Sequence, residues 1–252
     1  MKTAIIIGAT SGIGRELAIR LLEDGWKVGI TGRREERLME IQGKYGEESV
    51  SYAIMDVRDD SATKVLDGLL EKTGAPDLFL HVSGIGNQNL DIDEDIEMNL
   101  IRTNCDGMVR IVAHFVNYVK RNPVYDKKHK AHIGVVTSVA GTRGLGVSAA
   151  YSSSKQMQTT YLQGLSQLSR MQKIPVTFSD IRPGFVATDI LDPNQHYFFL
   201  MTVEKAGDCI LRGLKHKRRI ITFDWRYRVL TALWKHIPLC IWERLTIVKT
   251  KS

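Results

Sequence analysis

The sequence predicts an α/β protein, a doubly wound parallel sheet of about seven strands with helices on both faces, followed by a basic amphipathic helical extension. Three observations carry that prediction. Apolar, β-branched runs alternate with segments of helical period from residue 3 onward, the pattern of βαβ units. The first run, Thr3-Ala4-Ile5-Ile6-Ile7, is apolar throughout, as befits a strand buried on both faces. It leads directly into a glycine-rich turn and then into helical spacing through Leu17, Ala18, Leu21 and Leu22.

That turn is Gly8-Ala9-Thr10-Ser11-Gly12-Ile13-Gly14. Its glycines let the backbone bend sharply and approach a pyrophosphate, while the helix start offers unpaired N–H groups and partial positive charge. Strand, turn and helix in this order predict a dinucleotide cradle from Gly8, Thr10, Ser11, Gly12, Ile13 and Gly14. A second strand over 27–31 ends at Gly32-Arg33-Arg34, where such a fold meets the adenosine ribose. Two arginines there suit a 2′-phosphate, so NADP(H) is favoured, with NAD(H) the second choice. The same pair also reads as the charged start of the helix running through Glu35, Glu36 and Arg37.

A third strand over 50–55 precedes Asp56-Val57, and a helix over 61–71 leads through Gly74-Ala75-Pro76 to a fourth strand over 78–82. After the loop Ser83-Gly84-Ile85-Gly86, the acidic stretch 91–97 opens a long helix that contains Asn104 and Gly107 and reaches about Lys120. A charged loop, with no metal site at His129 and His132, gives way to a fifth strand over 132–137 that delivers Ser138. The helix of Tyr151 runs toward Met171, and a sixth strand over 175–181 ends at Arg182-Pro183-Gly184. Then come a loop over 189–201 with Pro193 and Tyr197-Phe198-Phe199, a helix over 203–214 and a last strand over 219–223. Without a repeat or a linker, one domain spans 1–252, with its core at 3–223 and the extension at 224–252.

Tyr151-Ser152-Ser153-Ser154-Lys155 is the stretch with chemistry in it. On a helix, Tyr151 and Lys155 lie one turn apart and share a face. A fixed cation beside a phenol favours the phenolate and moves an otherwise weak acid toward useful acid/base range. Taken alone, the five residues read first as a solvated helix face that Tyr151 and Lys155 merely share.

Composition bounds the setting. At 252 residues and 43% hydrophobic, the chain can bury a large core. Three scattered cysteines form neither a disulfide framework nor a metal ladder, which points to a reducing compartment. Neither a signal-peptide h-region nor an apolar run of about 18 residues is found, so the expected location is the cytoplasm or the inner face of a membrane. From residue 212 onward, eleven cationic side chains against two carboxylates give +9, which leaves −2 for the first 211 residues. Within 225–248, Leu230, Leu233, Trp234, Ile237, Ile241, Trp242 and Leu245 recur at near-helical spacing among Arg226, Arg228, Lys235 and Arg244, and Pro238 divides the segment. Such a stripe suits an anionic membrane surface, a cover over the substrate mouth or the interface of a homo-oligomer; the aromatics lack an RNA-binding frame, and no nucleic acid is expected.

Together these motifs resemble the short-chain dehydrogenase/reductase family, in its compact branch of about 250 residues, over roughly residues 3 to 223. The resemblance implies a Rossmann-type sheet, with Asp56 and Val57 beside the adenine and Asn104, Ser138, Tyr151 and Lys155 at the catalytic positions. It also places Gly84, Pro183, Gly184, Val186 and Thr188 with Tyr151 and Lys155 around the cofactor. It implies that Tyr151 exchanges a proton with the substrate oxygen, Lys155 lowers the phenol's pKa, Ser138 donates to that oxygen and Asn104 holds a water linking Lys155 to solvent. Two departures stand out: His81-Val82-Ser83-Gly84 where the family has Asn-Ala-Gly, and Ile7 in place of a threonine. The expectation is an NADP(H)-dependent oxidoreductase for a small carbonyl or alcohol substrate, apolar or lipid-like if Tyr197, Phe198 and Phe199 line the pocket. Those aromatics serve equally as core anchors for their loop. The competing expectation is a dinucleotide-binding scaffold without turnover at a membrane surface.

Overall fold

The alternating pattern builds a seven-stranded, all-parallel sheet in the computed structural model, which describes residues 1–191 and 197–245. The strands are β1 (Thr3–Ile7), β2 (Lys27–Gly32), β3 (Val50–Ile54), β4 (Leu78–His81), β5 (Ala131–Val136), β6 (Val176–Pro183) and β7 (Ile220–Phe223). Their order, β3-β2-β1-β4-β5-β6-β7, reverses direction between β1 and β4. Ile7 pairs with Thr31 on one side and His81 on the other, so the carboxyl ends of β1 and β4 open a crevice, the usual ligand site of such sheets.

The helices are α1 (Gly12–Glu23), α2 (Glu35–Tyr45), α3 (Ala62–Thr73), α4 (Glu94–Ile101), α5 (Gly107–Arg121), α6 (Ala149–Met171), α7 (Val203–Lys215), α8 (Trp225–Trp234) and α9 (Leu239–Trp242). Side chains alternate across a strand, so β1 serves two cores. Ala4 and Ile6 pack with Leu17 and Leu21 of α1 and Ile210 of α7. Ile5 and Ile7 face Leu66, Phe115 and Leu162 from α3, α5 and α6. Burial on both faces explains why β1 carries no polar residue beyond Thr3.

The long helix expected through Asn104 is interrupted by a π-helical segment, Arg102–Asp106, the kind of wide turn that occurs mostly as a single bulge inside α-helices and often at functional sites. The cations of the tail fall into two groups. Lys215, Lys217 and Arg218 are exposed before β7, while α8 and α9 follow its other end, so the strand separates the two groups. Pro238 does divide α8 from α9, and Pro193, Val248, Lys249 and Lys251 lie outside the described residues. No helix among the described residues is long and apolar enough to cross a membrane.

Two buried histidines make the fold acid-sensitive. Desolvation lowers His81 to about 3, with Lys155 repelling the added charge, and His132 to about 4, where Lys217 adds to the effect. His132 reaches the Ser179 hydroxyl at 2.8 Å, whereas neither ring nitrogen of His81 has a partner. Both pKa values fall below the unfolded value, so the unfolded chain binds more protons and stability is lost as pH drops from about 6.5 toward 3. Urea unfolding should show a loss of about 2 kcal/mol for His81 alone between pH near 7 and pH near 5. His81→Leu should flatten that dependence, and an unchanged slope would contradict this account.

Candidate active site

Gly8 and Gly12 adopt left-handed φ values of 92° and 54°, and a Cβ on Gly14 would lie 1.9 Å from the Gly8 carbonyl oxygen. The turn therefore needs glycine where it bends and where α1 meets β1. Ser11 precedes α1 without capping it, and the first turn has no acidic residue. By contrast, Asp93, Thr202 and Asp224 cap α4, α7 and α8 with their side chains. An uncapped helix start behind a bare glycine turn is a fit for a pyrophosphate. Ile13 packs on the core beneath the turn, and Thr188 approaches from the far wall, its Cγ2 3.0 Å from where a Gly12 Cβ would sit.

At the expected adenosine end, the arginines differ. Arg34 donates to Thr10 Oγ1 from Nε (3.3 Å) and Nη2 (3.0 Å), with Asp189 3.8 Å away. Arg33 is 63% exposed and lies 3.9 Å from Asp56. Both carboxylate oxygens of Asp56 accept from Arg58, whose hydrogen bonds hold the acid below the usual carboxylate range. Val57 is buried, with its side chain against Gly107. Arg58, a third cation at this end, escapes sequence reasoning although its position two residues after Asp56 is a local signal: its backbone N–H and guanidinium both donate to that carboxylate.

Ser138 leaves β5 and accepts from the Ala140 N–H at 3.1 Å. Its hydroxyl neighbours the Tyr151 phenol closely enough to oppose the effect of burial on that group. Lys155, one turn along α6, is 5% exposed; its Nζ donates to the Val136 carbonyl at 3.1 Å and lies 5.8 Å from the Tyr151 ring centroid. Burial lowers the ammonium to about 8 against the opposing pull of Cys105 and Asp180. For Tyr151, desolvation raises the phenol's pKa, and the neighbouring Ser138 hydroxyl acts in the opposite direction.

Asn104 is fully buried in the π-helical segment. Its Oδ1 accepts from Ile85 N–H at 2.9 Å, while Nδ2 donates to Ile85 O at 2.9 Å and to Ser154 Oγ at 3.0 Å. Gln158 donates to its backbone carbonyl at 2.7 Å. These bonds brace the loop at Gly84, where a Cβ would lie 3.2 Å from Asn104 Oδ1 and 3.3 Å from Lys155 Nζ.

Pro183 ends β6, and Gly184 lies against the Tyr227 ring. Val186 bridges to Met201, pinning the base of the following loop. Tyr197 packs on Phe185 and Phe199 on Tyr227, with centroids 4.8 and 5.7 Å apart, so these two aromatics act as anchors. Phe198 is 71% exposed. Ile190, a residue the sequence pattern did not single out, brings a methyl to 3.1 Å from the Cβ position of Gly86, and the Tyr151 ring reaches that position at 3.0 Å.

A family model described as short chain dehydrogenase matches residues 2–196. An uncharacterized oxidoreductase of Myxococcus xanthus is 27% identical over 243 residues, 94% of this chain and 93% of its own length. A probable NADP-dependent dehydrogenase of Haemophilus influenzae is 33% identical over 189 residues, 72% of this chain and 70% of its own length. The crystal structure of a short chain dehydrogenase/reductase from Burkholderia phymatum in complex with NAD superposes with a TM-score of 0.79 at 19% identity, covering 100% of this chain and 98% of that one.

Proposed function

The chain belongs to the short chain dehydrogenase family and is an NAD(P)-dependent oxidoreductase, and on that premise we propose that it interconverts an apolar ketone and its alcohol with NADP(H), using Tyr151 as general acid/base. The observation that carries the reading is the buried Lys155 ammonium, one turn along α6 from Tyr151, held by the Val136 carbonyl at 3.1 Å and 5.8 Å from the Tyr151 ring centroid, at the end of β5 that delivers Ser138. The nicotinamide, when bound, supplies or accepts the hydride. Burial keeps Tyr151 protonated near neutral pH, so it donates to a carbonyl oxygen in reduction. Ser138 donates to the same oxygen as negative charge grows there. Lys155 provides positive charge beside the phenol, and Asn104 fixes the Gly84–Ile85 backbone and Ser154 around it. The turn from Gly8 to Gly14 holds the pyrophosphate, Arg33 takes the 2′-phosphate, and Arg34 steadies the turn through Thr10.

Ile190 beside Tyr151, with exposed Phe198 and Leu200 on the same loop, supports an apolar substrate. A panel of acyl, steroid-like and sugar ketones tests this through NADPH oxidation. Acyl or steroid-like ketones should turn over with the higher kcat/KM, and Ile190→Asp should raise their KM. Preference for the sugar ketones would reject the apolar reading.

The location we favour is an anionic membrane surface. α8 is apolar on both sides, and a helix of that kind normally has both covered. Tyr227 and Thr231 face inward, whereas Trp225 (70% exposed) and Leu233 (65%) point out beside exposed Arg228 and Lys235. Apolar side chains flanked by cations suit a headgroup layer of opposite charge. The protein should sediment with anionic vesicles at low salt, and less at high salt. Leu233→Glu should release it, whereas Lys217→Ala, beyond the other end of β7, should not. Indifference to vesicles, or a dimer disrupted by Leu233→Glu, would replace the membrane with a second copy.

A further inference from the structure

The extension reaches both walls of the candidate site. On one wall Tyr227 lies against Gly184, where a Cβ would come within 2.1 Å of the ring, and its hydroxyl donates to the Phe198 carbonyl at 2.6 Å. The other wall is the segment 139–148, which leaves Ser138 and returns to the helix of Tyr151. Here the Trp234 indole N–H donates to Thr142 Oγ1 and the Trp242 indole N–H to the Gly144 carbonyl, both at 2.8 Å. Arg143 stands between them. Its guanidinium donates to the carbonyls of Trp234 (3.1 and 3.2 Å), Lys235 (3.3 Å) and Ile237, and lies 5.2 Å from the Trp242 centroid. The two indoles meet edge to face at 5.4 Å.

These contacts have a physical logic. The last carbonyls of a helix lack intrahelical partners and carry partial negative charge, and a planar guanidinium supplies several donors and a positive charge at once. From the latch, hydrogen bonds lead to both reacting side chains' neighbours. Thr142 Oγ1 donates to the Val139 carbonyl at 2.6 Å, next to Ser138, and the Leu145 N–H donates to Ser152 Oγ at 3.1 Å, next to Tyr151. A site built on a loop is only as well placed as the contacts that support the loop.

We propose that Arg143 is a positioning residue, the latch through which the C-terminal extension fixes Ser138 and Tyr151 relative to each other. This rests on the reading of those two residues as the reacting pair. The test measures kcat, KM and NADPH affinity with a ketone turned over by the wild type, in Arg143→Ala, Arg143→Lys and Trp234→Phe, with Tyr151→Phe alongside. Arg143→Ala should lose about 10- to 100-fold in kcat, the usual consequence of slight misplacement, with NADPH affinity and substrate KM little changed. Arg143→Lys should recover part of that loss, because an ammonium satisfies fewer carbonyls. Trp234→Phe, which keeps a ring but removes the donor to Thr142, should lower kcat in the same direction and decides the matter alone if Arg143→Ala does not fold. Unchanged kcat in Trp234→Phe and in every folded Arg143 variant, with Tyr151→Phe inactive, would overturn the latch and spare the catalytic reading. An active Tyr151→Phe would overturn the catalytic reading itself.

Discussion

Tyr151→Phe should lower kcat by ~10²–10⁴-fold, the range expected when a positioned proton donor is removed, while NADPH binds as before. The substitution deletes one oxygen and keeps the ring that flanks Gly86. What disappears is the phenolic proton beside the Ser138 hydroxyl. Lys155 and the glycine turn remain, so cofactor titration by fluorescence should be unaffected. The pH dependence has a definite sign. Reduction needs Lys155 charged and Tyr151 protonated; Lys155, lowered to about 8 by burial, loses its proton first as pH rises, so the rate should fall from about there. Full turnover in the Phe variant would remove Tyr151 from the chemistry.

Arg33→Ala should weaken NADP(H) by about 1–3 kcal/mol, one charge-assisted hydrogen bond to a phosphate, and NAD(H) by much less. Arg33 is the freer of the two arginines, 63% exposed and 3.9 Å from Asp56, whose oxygens are already taken by Arg58. Arg34 is committed to Thr10 in the glycine turn, so Arg34→Ala should weaken both cofactors more evenly. Parallel titrations with the two nucleotides separate these outcomes. Equal losses for NADP(H) and NAD(H) in Arg33→Ala would place the 2′-phosphate elsewhere.

What could be read in advance follows from the range of each interaction. The succession of strands and helices along the chain and the glycine turn were legible because burial on two faces and sharp backbone bends leave local signatures at β1 and at Gly8 to Gly14. The pairing of Tyr151 with Lys155 was legible because helical spacing alone puts them on one face. Their electrostatics were not, since desolvation of the phenol depends on which distant segments close around it. The same holds for Gln158 on Asn104 and Ile190 beside Tyr151, contacts set by tertiary packing with no local pattern. The tail's charge of +9 can be summed from the sequence, whereas its division by β7, with Lys217 and Arg218 before the strand and α8 after it, is set by the fold.

The most direct test of the central claim follows the hydride. The wild-type protein is incubated with NADPH carrying deuterium at both C4 positions of the nicotinamide and an apolar ketone, and the alcohol product is analysed by mass spectrometry. The account predicts one deuterium on the carbinol carbon for each cofactor consumed, and its near-disappearance in Tyr151→Phe under conditions where NADPH is still bound. Bound cofactor with no labelled alcohol from any acyl, steroid-like or sugar ketone, or labelling that survives unchanged in Tyr151→Phe, would contradict it.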